Sequence, residues 1–124
     1  MALPKKTEFD EQVSIFQWAE IKQIEIPELR LLNSSLNGVR LSIGAAKKAK
    51  RAGMKAGFPD LFLPVARGGF HGLFIELKRV GGRKPDPEQE KWLKWLSKEG
   101  YDCYCCKGAE SAIQTIISYL NGRI

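Results

Sequence analysis

The spacing of apolar and polar positions changes along the chain, and each change marks an element. From Thr7 to about Ile24 apolar residues recur at helical spacing: Val13, Phe16 and Ile24, with Ile15 and Ala19 beside them. Thr7, followed three residues later by Asp10, reads as the N-cap of this helix, and Pro27 ends it. Leu29 to Leu32 reads as a first strand, before an NSSLNG turn that contains Asn37 and Gly38. Alanine and lysine then dominate from Ile43 to Ala52, which favours helix, with Ser42 as N-cap and Gly53 as stop. Two apolar runs, Leu61 to Val65 and Leu73 to Leu77, flank the turn ARGGFHG and predict a strand, a turn and a second strand. Asp86, Pro87 and Gln89 form a capping box that opens a further helix, closed by Gly100. Its Trp92, Leu93, Trp95 and Leu96 are expected to pack onto the sheet. Tyr101 to Lys107 predicts a last strand, and Ala109 to Leu120 a last helix with Ile113, Ile116, Ile117 and Leu120 on one face. This order predicts an α/β domain built on a small mixed β-sheet flanked by helices.

One strand breaks its own pattern. Side chains alternate faces along a strand, so Leu73, Ile75 and Leu77 point one way while Phe74, Glu76 and Lys78 point the other. Two charges on one face of an otherwise apolar central strand are costly unless they are paired, hydrated or metal-bound. Asp60 lies sixteen residues before Glu76, and Pro59, which fixes its own φ and biases Phe58 to an extended shape, places it at the start of the preceding strand. Two carboxylates held together suit a hard divalent cation such as Mg²⁺ or Mn²⁺. A lysine beside them can hold an attacking water or offset charge on a phosphorane-like transition state.

Composition adds a partner. The chain has 124 residues, enough for one domain with its own core, and 44% hydrophobic with 27% charged residues is ordinary for a globular protein. The net charge is +6, and Arg40, Lys47, Lys48, Lys50, Arg51 and Lys55 lie in a stretch without Asp or Glu. Such a patch fits phosphate backbone, although a solvated helix face explains a charge run as well. Arg79, Arg83 and Lys84 add positive charge after the second site strand. Cys103, Cys105 and Cys106 have no second Cys or His cluster to complete a zinc site and read as small buried residues of a core strand. His71, in the turn between the site strands, reads as a hydrated loop residue. No apolar run approaches a membrane span and the N-terminus lacks a signal-peptide apolar region, so a cytoplasmic location (the host cytoplasm if phage-encoded) is expected.

The segments GFPDLFLP, HGLFIELK, GGRKPDPEQEKWL and GYDCYCCKGAESAI follow one another in this order. Pro59-Asp60 followed by Glu76-Leu77-Lys78 resembles the PD-(D/E)XK nuclease superfamily, and the ordered segments resemble its VRR-NUC family, the virus-type replication and repair nucleases. The resemblance covers roughly residues 8 to 120 of a single domain spanning 1–124. It implies a restriction-endonuclease-like fold and a metal-dependent DNA endonuclease selective for branched DNA such as Holliday junctions, acting as a homodimer. It further implies Asp60, Glu76, the Leu77 carbonyl and Glu8 as metal ligands, with Lys78 and Gln89 in the active site. Glu8 and Gln12 match the family's acid followed four residues later by glutamine, while Glu11 is an alternative on the same helix. Glu8, Glu11 and Gln12 are also ordinary first-turn polar residues, and Gln89 is equally the partner in its own capping box. Two rival readings remain: a module of this fold that binds nucleic acid without cutting, and a sequence-specific restriction-type enzyme, for which 124 residues leave little room.

Overall fold

A computed structural model describes residues 5–35, 37 and 39–122. Its elements are α1 (Glu8–Lys22), a 3₁₀ turn (Pro27–Leu31), β1 (Asn33–Ser34), α2 (Ile43–Arg51), β2 (Leu61–Leu63), β3 (Leu73–Lys78), α3 (Pro87–Lys98), β4 (Asp102–Lys107) and α4 (Ala109–Leu120). The strands form one sheet in the order β1-β2-β3-β4, with the first two pairings antiparallel and the last parallel. The result is the small mixed sheet among helices that the sequence predicts.

Local signals act where they were read. Thr7 and Asp10 exchange both capping-box bonds, Ser42 caps α2, and Asp86 and Gln89 close the second box. Each satisfies backbone N–H groups that a helix start leaves orphaned.

The core lies on the Leu73, Ile75 and Leu77 face of β3, packed with Leu61 and Leu63 of β2, Cys106 of β4, Ile15 and Ala19 of α1, and Ala112, Ile116 and Tyr119 of α4. Tyr119 is fully buried, and its hydroxyl donates to the Val65 carbonyl.

Several expectations are corrected. Leu29 to Leu32 is not a strand: Pro27, with its preset φ, opens a 3₁₀ turn, and β1 shrinks to Asn33–Ser34. The first helix stops at Lys22, so Ile24 lies beyond it and is exposed, and Val13 faces solvent from within it. β2 ends at Leu63 because Pro64 has no N–H for the ladder. Ile117 of α4 stands outside the core, and the buried stripe runs Ala109, Ala112, Ile116, Tyr119. Of the three cysteines only Cys106 is buried; Cys103 is half-buried and Cys105 exposed, because β4 is an edge strand with a single face on the core. Trp95 does not pack on the sheet either. It is 52% exposed, while Trp92, Leu93 and Leu96 are half-buried.

Candidate active site

The other face of β3 carries the candidate site. Asp60 and Glu76 are 5% and 2% exposed, nearly as sealed as the core leucines, yet both are carboxylic acids. Asp60 is placed from two sides: buried Pro59 precedes it, and its own carbonyl accepts the Ser35 N–H at 2.8 Å. Its Oδ2 accepts the Leu77 backbone N–H at 2.8 Å, which docks the start of β2 against the end of β3. A strand residue's N–H and C=O point to the same side, so the Leu77 carbonyl is also directed toward Asp60. Glu76 is held from α3: Gln89 Nε2 donates to Glu76 Oε2 at 3.0 Å, while Gln89 Oε1 accepts the Asp86 N–H at 2.9 Å. One side chain therefore makes both the capping bond to Asp86 and a bond to Glu76. Lys78 lies two residues along the same face, with Nζ 3.7 Å from Glu76 Oε2.

The two acids are close enough for each to shift the other's titration. Burial raises the Asp60 carboxyl above its usual range, opposed by the Leu77 N–H. Glu76 is pushed up to about 9, first by burial and then by the charge of Asp60. A like-charge pair in a dry setting holds a proton because nearby cations do not balance it. Lys78 supplies one positive charge for two carboxylates. An oxygen-only donor set with a charge deficit is what a hard divalent cation satisfies, so these residues fit one.

Glu8 is exposed in the first turn of α1, yet near enough for its charge to raise Glu76 further. No third His, Cys, Asp or Glu closes with Asp60 and Glu76 into a ligand cluster among the described residues. Glu11 points elsewhere. It is buried, and its Oε1 accepts the Ala109 N–H at 3.3 Å, capping α4 in place of the side chain that Gly108 lacks. The sequence held no signal for this, because the partners are 98 residues apart.

Sequence reasoning also missed Trp92, whose Nε1 donates to the Ala56 carbonyl at 3.0 Å and ties α3 to the loop before Asp60. Its position three residues after Gln89 puts both on one helical face, and that spacing was the available signal. Gly57 lets the two segments meet: it holds φ +86°, and a Cβ there would lie 2.9 Å from the Glu88 backbone. Asn37 secures the same loop, its amide donating to the Lys55 and Phe58 carbonyls at 3.0 Å each. Gly38 lies outside the described residues. Parallel register sets Cys105 beside Glu76 and Lys107 beside Lys78, so β4 also contributes to this face.

The basic residues singled out in the sequence lie at the surface. Arg40, Lys47, Lys48, Lys50, Arg51, Lys55, Arg83 and Lys84 are exposed, and Arg79 is half-buried. α2 buries no residue. None of these cations has an ion-pair partner among the described residues.

A mixed sheet whose central strand carries Glu76 and Lys78 on one face, beside a buried aspartate, is the arrangement that the resemblance to PD-(D/E)XK nucleases leads one to expect. Residues 7–110 match the VRR-NUC domain, and the chain belongs to that family. A solved structure titled "VRR_NUC domain protein" is similar at 33% identity with a TM-score of 0.79, over 95% of this chain and 91% of that one. A comparison with curated protein sequences gave no match. The domain is therefore of nuclease type. Among the described residues no helix is long and apolar enough to cross a membrane.

Proposed function

We propose that this domain is a Mg²⁺- or Mn²⁺-dependent endonuclease that hydrolyses phosphodiester bonds in DNA, prefers branched substrates such as Holliday junctions, and acts as a homodimer. The observation that carries this reading is the pair of buried carboxyls, Asp60 and Glu76, with Lys78 Nζ 3.7 Å from Glu76. Asp60, Glu76 and the Leu77 carbonyl would hold the cation, with Glu8 reaching in from α1. A divalent cation bound there supplies a Lewis acid and lowers the pKa of the attacking water.

The chain's own groups do the rest. Lys78, held near Glu76, orients the water and offsets negative charge gathering on the phosphoryl oxygens. Gln89 is a positioning residue: fixed at one end by the Asp86 N–H, it fixes Glu76 at the other. Cations on α2 and at Arg40, Lys55, Arg79, Arg83 and Lys84 grip the phosphate backbone. With one such site per chain, cutting two strands of a junction calls for two copies, which is the ground for the homodimer.

The test is cleavage of a labelled four-way junction beside a matched linear duplex in Mn²⁺, Mg²⁺ and EDTA, by wild type and Asp60→Ala. Metal-dependent cutting of the junction, absent in Asp60→Ala, is the expected result. Binding without cutting in either metal would overturn the enzyme and leave a binding module. Fixed cut sites on plain duplexes would replace branch selectivity with sequence recognition. Sedimentation of the protein with and without junction DNA reads the dimer directly.

A further inference from the structure

The outer face of α3 has no role in the site described above. Lys91, Lys94, Trp95 and Lys98 are spaced i, i+3, i+4, i+7, which places them on one side of the helix. That spacing usually marks an apolar stripe facing a core. Here all four side chains are exposed, the indole of Trp95 to 52%. Lys91 pairs with Glu88 at 3.4 Å, while Lys94 and Lys98 have no ion-pair partner among the described residues. An exposed tryptophan rimmed by lysines lies on a helix whose first turn already touches Glu76.

The two ends are physically continuous. Trp95 meets the Trp92 ring edge-on with centroids 5.4 Å apart, Trp92 meets Phe58 at 5.1 Å, and Phe58 meets Phe74 at 5.5 Å. Phe58 is two residues before Asp60 and Phe74 two before Glu76, so this row of rings runs to the segments that carry both acids. Trp95 follows Gln89 by six residues, about 9 Å along the helix axis.

We propose that this face of α3, centred on Trp95 and rimmed by Lys91, Lys94 and Lys98, is a stacking shelf for an unpaired base of the strand held in the active site. The proposal deepens the nuclease reading and rests on it. Every base offers a π-face to an indole, whereas within a duplex those faces are already covered by neighbouring bases, so the shelf engages single-stranded or branch-point nucleotides. Lysines flanking the ring neutralise the phosphates on either side of the stacked base. Lysine is depleted in the cores of protein–protein interfaces, so the same composition is a poor match for a protein partner. Branch preference then has a physical cause in this chain: duplex DNA engages the lysines, and an unpaired nucleotide engages Trp95 as well.

The experiment uses the full chain in EDTA, so that nothing is cut. Binding of a labelled oligothymidine, of an abasic oligomer of equal length and of a duplex is followed by anisotropy, with tryptophan fluorescence read in parallel. Wild type should bind oligothymidine more tightly than the abasic oligomer and lose tryptophan emission on doing so. Trp95→Ala should weaken oligothymidine binding by about 5- to 100-fold and abolish the quenching, with duplex binding unchanged. Trp95→Phe should recover most of the affinity. Equal binding of oligothymidine by wild type and Trp95→Ala overturns the shelf, and so does equal binding of the abasic and natural strands by wild type, a comparison that needs no variant. The two readings fail separately: metal-dependent cleavage with no Trp95 effect leaves a nuclease without the shelf, and a selective Trp95 effect without cleavage leaves a single-strand-binding domain that is not a nuclease.

Discussion

The two faces of β3 share one backbone and one burial, and they do opposite work. Leu73, Ile75 and Leu77 are each 1% exposed against α1 and α4. Glu76, on the other side, is 2% exposed and surrounded by Asp60, Lys78 and Gln89. Accessibility does not distinguish them, but the free energy of the buried groups does. Removing the apolar face from water stabilises the fold. Burial of Glu76 instead forces a carboxylic acid to keep a proton to about 9, which stores an electrostatic demand in the site. One face sustains the structure, and the other is held in a costly arrangement by it.

The sharpest way to break this comparison is to change each face in turn. Lys78→Met should reduce metal-dependent cleavage by about 10²- to 10³-fold, the range for removing one preorganised charge-stabilising group, while the melting temperature changes little. Leu77→Ala, one residue earlier and facing the core, should lower stability by about 2–5 kcal/mol, read from denaturant unfolding. If Lys78→Met unfolds the protein, or if Leu77→Ala is harmless, the division of labour between the faces is wrong.

How much of this was legible depends on the distance between partners. The caps at Thr7, Ser42 and Asp86 act within three residues and were read from the sequence. The common face of Glu76 and Lys78 follows from a period of two, and Asp60 was located by Pro59. Partners far apart along the chain were not legible. Glu11 caps α4 from the opposite end of the sequence, and Trp92 finds the Ala56 carbonyl across a loop. Trp95 and Leu96 are adjacent apolar residues on one helix; which of them turns inward is decided by where α3 lands on the sheet, fixed in part by the close approach at Gly57. The exposure of Cys105 likewise follows from β4 being the edge of the sheet. Pro27 was read as a stop when it begins the next turn, the role its fixed φ equally suits.

A gentler probe sharpens the contrast without removing either face. Glu76 has a folded-state value raised above its unfolded one, so its contribution to stability is fully present below the ordinary carboxylate range and is lost as pH rises toward about 9. Metal-free protein should therefore melt at progressively lower temperature from about pH 5 to pH 9. Glu76→Gln, which keeps the shape and removes the charge, should flatten that slope in EDTA and raise stability at the alkaline end. Thermal melts of both proteins across this range decide it, and an identical slope in the two shows that Glu76 ionises without strain.

The smallest effect probes the core face at a buried polar contact. Tyr119 is fully buried and its hydroxyl is occupied by the Val65 carbonyl, just past the end of β2. Tyr119→Phe keeps the ring and deletes the donor, leaving a carbonyl without its partner. A loss of about 1 kcal/mol is expected, typical of one hydrogen bond exchanged against water. Because the contact lies on the face away from Glu76, cleavage by folded protein should remain at the wild-type rate. Unfolding in urea gives the first quantity and junction cleavage the second. A drop in cleavage without unfolding would mean that strain at the end of β2 reaches Asp60 through the strand, and the two faces would then have to be treated as one mechanical unit.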